Sequence, residues 1–186
     1  LEALEAYIAQ GGRLLCMFDP GQAQETTAFL EAYGVTLEDT TIIDTNPLGQ
    51  LMGAGPGMPI ASSYQNHPIT EKFTTATIFP LAQSLTLAET FPEGITAEQL
   101  ASSGPQSWAE TSQEELQSGN VSFTEGSDIQ GPLILAAVVT VAVPPLEGST
   151  VEDNTIAESS DVPEESPEVP QPKDGKIVVF GDSDFA

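Results

Sequence analysis

Leu1, Leu4 and Ile8 recur at helical spacing with Glu2 and Glu5 on the polar side, and Gly11-Gly12 supplies the left-handed stop such a helix needs. The spacing predicts an opening helix. Arg13-Leu-Leu-Cys-Met-Phe18 follows as an apolar run between Gly-Gly and Asp-Pro-Gly, the pattern of a strand buried on both faces. A second helix is expected near Glu25 to Tyr33, ended by Gly34, with short strands at Val35–Leu37 and Thr41–Asp44 around the Glu38-Asp39 turn. Helix, strand, helix, strand argues for an α/β domain with a largely parallel sheet.

Beyond this opening the pattern is less regular. Asn46 to Pro59 holds four glycines and three prolines and is expected to be an irregular loop. Thr75 to Phe79 reads as a strand. Thr96-Ala-Glu-Gln99 has the form of a capping box, yet Leu100-Ala-Ser-Ser-Gly104 could equally end a strand. Ser112-Gln-Glu-Glu115 is a second capping box, expected to start a turn of helix. Asn120-Val-Ser122 fits the glycosylation acceptor pattern, a weak three-residue match. Pro132 to Pro145 is apolar and β-branched but well short of the roughly 20 residues of a spanning helix, so it reads as a buried strand. Lys176 to Phe180 repeats the strand pattern, and the two are expected to be hairpin neighbours.

Between them, residues 144–175 change character: 32 residues with six prolines, nine acidic residues, one lysine and no aromatic ring. Such a stretch buries too little apolar surface to offset its ordering entropy and is expected to be a disordered, acidic, Pro-rich insertion in one domain spanning 1–186. With Leu1 opening inside a helical pattern, and the end resembling a strand turning toward a helix, the chain reads as a fragment truncated at both ends.

The charge sharpens this picture. The 186 residues carry 28 Asp and Glu against 4 Lys and Arg, a formal net charge of -24. Arg13, Lys72, Lys173 and Lys176 are too few and too scattered to neutralise a nucleic-acid backbone or an anionic membrane surface. Nucleic acid is excluded as a partner. The insertion accounts for -8 and the remaining 154 residues for -16, so the folded part is itself acidic. Cys16, the single cysteine, rules out an intrachain disulfide and a C-x-x-C metal or redox site.

Several short segments occur in a telling order: Gly11 to Pro20, Tyr33-Gly34 to Asp44, His67-Pro-Ile-Thr70, Ile78 to Leu85, Ser107-Trp108, Asp128 with Gly131-Pro132, and Ile177 to Ala186. Together they resemble the auxiliary domain of gliding-motility-type ABC transport systems, the GldG family. That resemblance implies a flavodoxin-like, class I glutamine-amidotransferase-like three-layer α/β sandwich, related to the N-terminal domain of an intraflagellar transport protein. It further implies an extracytoplasmic domain, tethered through flanking membrane helices, that works beside an ABC permease and ATPase. It moves the reading of residues 96–103 toward strand. It also places a strand before the first helix, so the fragment is expected to have an uncovered sheet edge, open to a second chain or to a second copy in a homodimer.

Amidotransferase-like folds set a nucleophilic cysteine on the turn after such a strand. Here that turn is Phe18-Asp19-Pro20-Gly21, and Cys16 lies two residues early, inside the strand, where it reads as a small packed hydrophobe. His67 precedes a proline and has no second histidine to act with, which points to a structural role. Gly49 to Gly57 contains no lysine and is not a phosphate cradle. Asp19, Asp182 and Asp184 each follow a strand and could converge at one sheet edge, where oxygen ligands suit Mg²⁺ or Ca²⁺; Asp182-Ser183 and Asp19-Pro20, however, read first as a helix cap and a helix entry. Trp108, the only tryptophan, is either an exposed interface anchor or ordinary core. The reading is a non-catalytic interaction domain without cofactor or metal. Its expected binding residues are Asp19, Pro20, His67, Ser107, Trp108, Asp182, Ser183 and Asp184. The alternative is a metal-dependent hydrolase using Asp19, Asp182 and Asp184.

Overall fold

The computed structural model describes residues 1–21, 24–51, 53–61, 63–144 and 173–185. Helix α1 (Glu2–Ala9) buries Ile8, and Gly11, at φ 85°, turns the chain into strand β1 (Arg13–Met17). Helix α2 (Gln24–Glu31) sends Phe29 and Leu30 inward before Gly34, at φ 77°, releases the chain into β2 (Val35–Leu37). There follow β3 (Thr41–Asp44), the short helix α3 (Pro47–Leu51) and three two-residue strands, β4 (Ile60–Ala61), β5 (Ser63–Tyr64) and β6 (Thr77–Ile78). The second half comprises β7 (Leu85–Leu87), β8 (Ile95–Ser102), β9 (Ser107–Glu110), α4 (Gln113–Ser118), β10 (Ile129–Gln130), β11 (Ile134–Val141) and β12 (Gly175–Phe180).

The main sheet runs β1-β12-β11-β7-β2, with β8 added on β11 and β5 on β8. A second sheet pairs β10, β9 and β3, and β4 pairs β6 in a third. Strand β11 is the centre: Val138 is registered with Val178 of β12 on one side and Glu98 of β8 on the other. Because side chains alternate across a strand, β11 and β12 divide the interior in two. Ala137, Val139, Ile177 and Val179 join Ile8, Phe29 and Leu30 beneath the helices. Ala136 and Val138, with Val178 and Phe180, face the opposite core of Phe79, Leu100 and Leu135. Each fully buried Val, Leu, Ile or Phe among them stabilises the fold by roughly 1.5–3 kcal/mol before the entropy of ordering it is counted.

The expected flavodoxin-like sandwich with a mostly parallel sheet is overturned. Among the described strand pairs only β1 with β12 is parallel; every other ladder is antiparallel, in a mixed, curled, mostly β architecture with few helices. The alternation of helix and strand that suggested parallel pairing stops after the first 44 residues. From Thr77 onward, strands are joined largely by loops, and without a crossover helix neighbouring strands run antiparallel.

β1 is likewise not buried on both faces: it pairs with β12 alone among the described strands, and Leu15 is 61% exposed. Residues 95–102 form a strand, and 113–118 a helix whose cap Ser112 accepts from the Glu115 N–H at 3.2 Å. The loop expected over 46–59 contains the single short helix α3. Of the acidic insertion, residues 145–172 lie outside the described residues.

Candidate functional site

Parallel pairing of β1 with β12 brings their carboxyl ends side by side, with Met17 registered opposite Phe180. The residues that follow each strand therefore meet. Asp19 Oδ1 accepts from the Ser183 backbone N–H at 2.8 Å and Oδ2 from the Ser183 hydroxyl at 2.7 Å. Asp182 Oδ1 accepts from the Asp184 N–H at 2.7 Å, while Oδ2 is buried without a hydrogen-bond partner. Burial pushes the Asp182 carboxyl up to about 6, and the negative charges of Asp184 and Asp19 push the same way; the N–H groups of Asp184 and Ser183 oppose them. Asp19, Asp182, Ser183 and Asp184 thus form one cluster, with Pro20 in the turn beside it.

The chemistry of this cluster is constrained by where its lone pairs go. Both Asp19 oxygens are engaged by Ser183, which ties the two strand ends together, while one Asp182 oxygen is held locally by the Asp184 amide. Among the described residues no group of three His, Cys, Asp or Glu side chains is placed to hold a metal ion. Cys16 packs against the helical core, and burial pushes its thiol up to about 11, far from a reactive thiolate.

The other singled-out residues lie elsewhere. Ser107 is fully buried on β9, its hydroxyl 2.7 Å from both the Ser103 hydroxyl and the Gly104 carbonyl. Trp108, 6% exposed, is core: its indole N–H donates to Glu110 Oε2 at 3.2 Å and its ring meets Phe123 edge-on. His67 organises a turn, with Nδ1 accepting from the Ile69 N–H at 3.1 Å and its carbonyl accepting from Thr70 and Glu71.

That turn leads into a feature the sequence did not reveal. The segment after His67 packs toward the end of β12 and encloses an apolar cavity of about 310 Å³ between Tyr64, Ile69, Phe73, Phe79, Phe180 and Phe185. Phe185 stacks on Phe180 at 4.5 Å between ring centroids and on Phe79 at 4.9 Å. Asp182 lies between Phe180 and Phe185 in the chain, so the acidic turn and the aromatic wall are parts of one structure. That residues 64–79 face residues 180–185 could not be read from the sequence, because the two segments are about 100 positions apart.

The chain is a β-rich domain with a curled, mixed sheet that carries an acidic turn and an aromatic cavity at one end. The family model described as ABC-type uncharacterized transport system matches residues 1–186, and the chain belongs to that family: it is an auxiliary component of an ABC-type transport system. In fold it is similar to the solved mmIFT52 N-terminal domain, at 14% identity and a TM-score of 0.53; the match covers 97% of this chain and 58% of that one. This agrees with the suspected relation to an intraflagellar transport domain. No curated protein matches the chain. No helix among the described residues is long and apolar enough to cross a membrane.

Proposed function

We propose that the chain is a non-catalytic interaction domain that engages the permease of its ABC-type transport complex, working beside that complex's ATPase, at the carboxyl end of β1 and β12. The observation that carries this reading is the juxtaposition of tied-down carboxylates with an apolar cavity whose lip is exposed: Ile69 is 48% and Phe73 51% accessible. Exposed apolar side chains around a preformed cavity suit recognition, whereas Asp19 and Cys16 are held in states unsuited to attack on a substrate. An extracytoplasmic position, tethering by flanking helices and a gliding-motility role of the GldG kind belong to the same proposal, supported by the order of motifs and by the acidic surface.

The test is affinity purification of the tagged full-length protein from native membranes, together with cysteine labelling by a membrane-impermeant reagent. Permease and ATPase subunits are expected to co-purify, and an exposed residue such as Ser118, changed to cysteine, is expected to label in intact cells. Recovery of the protein without either subunit refutes the interaction reading. Labelling only after lysis refutes the location.

A further inference from the structure

The apolar cavity adjoins a polar hollow of about 370 Å³ lined by Ser63, Gln65, Asn66 and Glu71, and the two share the walls formed by Tyr64, Thr70 and Phe73. We propose that they form one site for a partner polypeptide, which places a bulky apolar side chain in the cavity and a neighbouring basic side chain over Glu71. This rests on the interaction-domain reading and names the chemistry of the partner.

The wall decides what the first compartment accepts. The Tyr64 hydroxyl lies 2.7 Å from Thr77 Oγ1 and 3.0 Å from the carbonyls of Ala61 and Thr75, and the Thr70 hydroxyl donates to the Gln65 carbonyl at 2.6 Å. These polar atoms are occupied within the protein. An entering group therefore meets rings and methyl groups, and any polar atom it brought would go unpaired at a cost of about 1–3 kcal/mol. The floor is firm, since Phe79 is 2% exposed and stacked, and Phe73 packs edge-on against Tyr64 at 5.1 Å. A volume of about 310 Å³ is at the small end for ligand pockets. It suits a single anchoring side chain better than a long acyl chain.

Charge selects the neighbour. Glu71 is the one charged residue lining the hollow, and Lys72, next in sequence, lines neither compartment. In a chain of net charge -24 this field repels anionic amphiphiles and fatty-acid headgroups and attracts cations. The half-exposed Ile69 and Phe73 at the lip would be covered by the partner backbone on either side of the anchor, the arrangement in which one buried apolar side chain dominates binding.

Fluorescence anisotropy with three labelled peptides, alike except that a central Phe is flanked by Lys, Ser or Glu, tests this. The expected affinity order is Lys, Ser, Glu, with the Lys preference shrinking as salt rises. Phe73→Ala, at a half-exposed position and with its fold checked by circular dichroism, is expected to weaken all three at least tenfold. Glu71→Gln is expected to abolish the preference for Lys over Ser and leave the Ser peptide unchanged. Equal affinity for the three peptides, binding unaffected by Phe73→Ala, or phenethylamine competing as well as the Lys peptide would each overturn the proposal. Co-purification of the full-length protein with permease and ATPase separates the two ideas. If it survives Phe73→Ala and Glu71→Gln, this inference falls alone; if the wild type fails to co-purify, the interaction reading falls.

Discussion

Replacing Asp182 by Asn removes a charge from a site that holds it poorly. The wild-type carboxyl is raised from the ordinary 3.8 to about 6, first by burial and then by Asp184 and Asp19. A carboxyl raised on folding contributes stability that is fully present below about pH 4 and lost as the pH climbs through about 6. Above that, ionised Asp182 costs at most roughly 3 kcal/mol. Asp182 itself is fully buried, but it bonds to the backbone of the exposed Asp184, and solvent near the turn reduces the figure. Asn keeps an oxygen for the Asp184 N–H but introduces an amide whose donors need partners, an offset of about 1 kcal/mol. The expected net gain at pH 8 is about 1–2 kcal/mol, a melting temperature higher by roughly 2–8 °C. At pH 4.5 the two proteins should melt together, or the variant slightly lower. Thermal unfolding of both across pH 4 to 8 is the assay. A difference that is constant with pH, or one that grows as the pH falls, would refute the assignment of the cost to Asp182 ionisation.

Three further outcomes follow from the packing. Cys16, its thiol pushed up to about 11, should alkylate with iodoacetamide at pH 8 far more slowly in the native protein than in urea; equal rates would contradict its burial. Gly181→Ala sets a methyl group against the Gln83 carbonyl at the point where Gln83 N–H bonds Gly181 and Gly181 N–H bonds Leu135, so a loss of about 1–3 kcal/mol in urea unfolding is expected, and an unchanged midpoint would count against that close approach. Trp108→Phe leaves Glu110 Oε2 without its indole donor and should lower stability by about 1–3 kcal/mol while peptide affinity stays constant; a loss of affinity with unchanged stability would instead make Trp108 a contact residue.

Some of the fold was legible because local chemistry suffices to specify it. Gly11 and Gly34 end their helices at positive φ as the stop signals implied, and Ser112 caps α4 as its capping box implied. The β-branched runs 134–141 and 175–180 are antiparallel neighbours, as two apolar strands on either side of a long insertion suggested. The parallel sheet failed for a physical reason: periodicity reports how a face is covered, and orientation is set by the connections. The run 13–17 was misjudged on the same ground, since an apolar strand at an edge looks in sequence like one at the centre. Trp108 shows the limit from the other side, its exposure undecided until Glu110 and Phe123 were seen against it.

The sequence by itself determined the helix stops, the central strands, the acidic composition, and the family order of motifs, because each depends on residue type or on neighbours a few positions apart. Only the tertiary structure decided which strands pair, that Asp19 reaches Ser183 across 164 positions, that Asp182 is buried with one oxygen unpaired, and that Tyr64 and Phe73 face Phe180 and Phe185 around a cavity. Those are contacts between distant segments. Their strength comes from excluding water between surfaces that the chain, read in order, never places together.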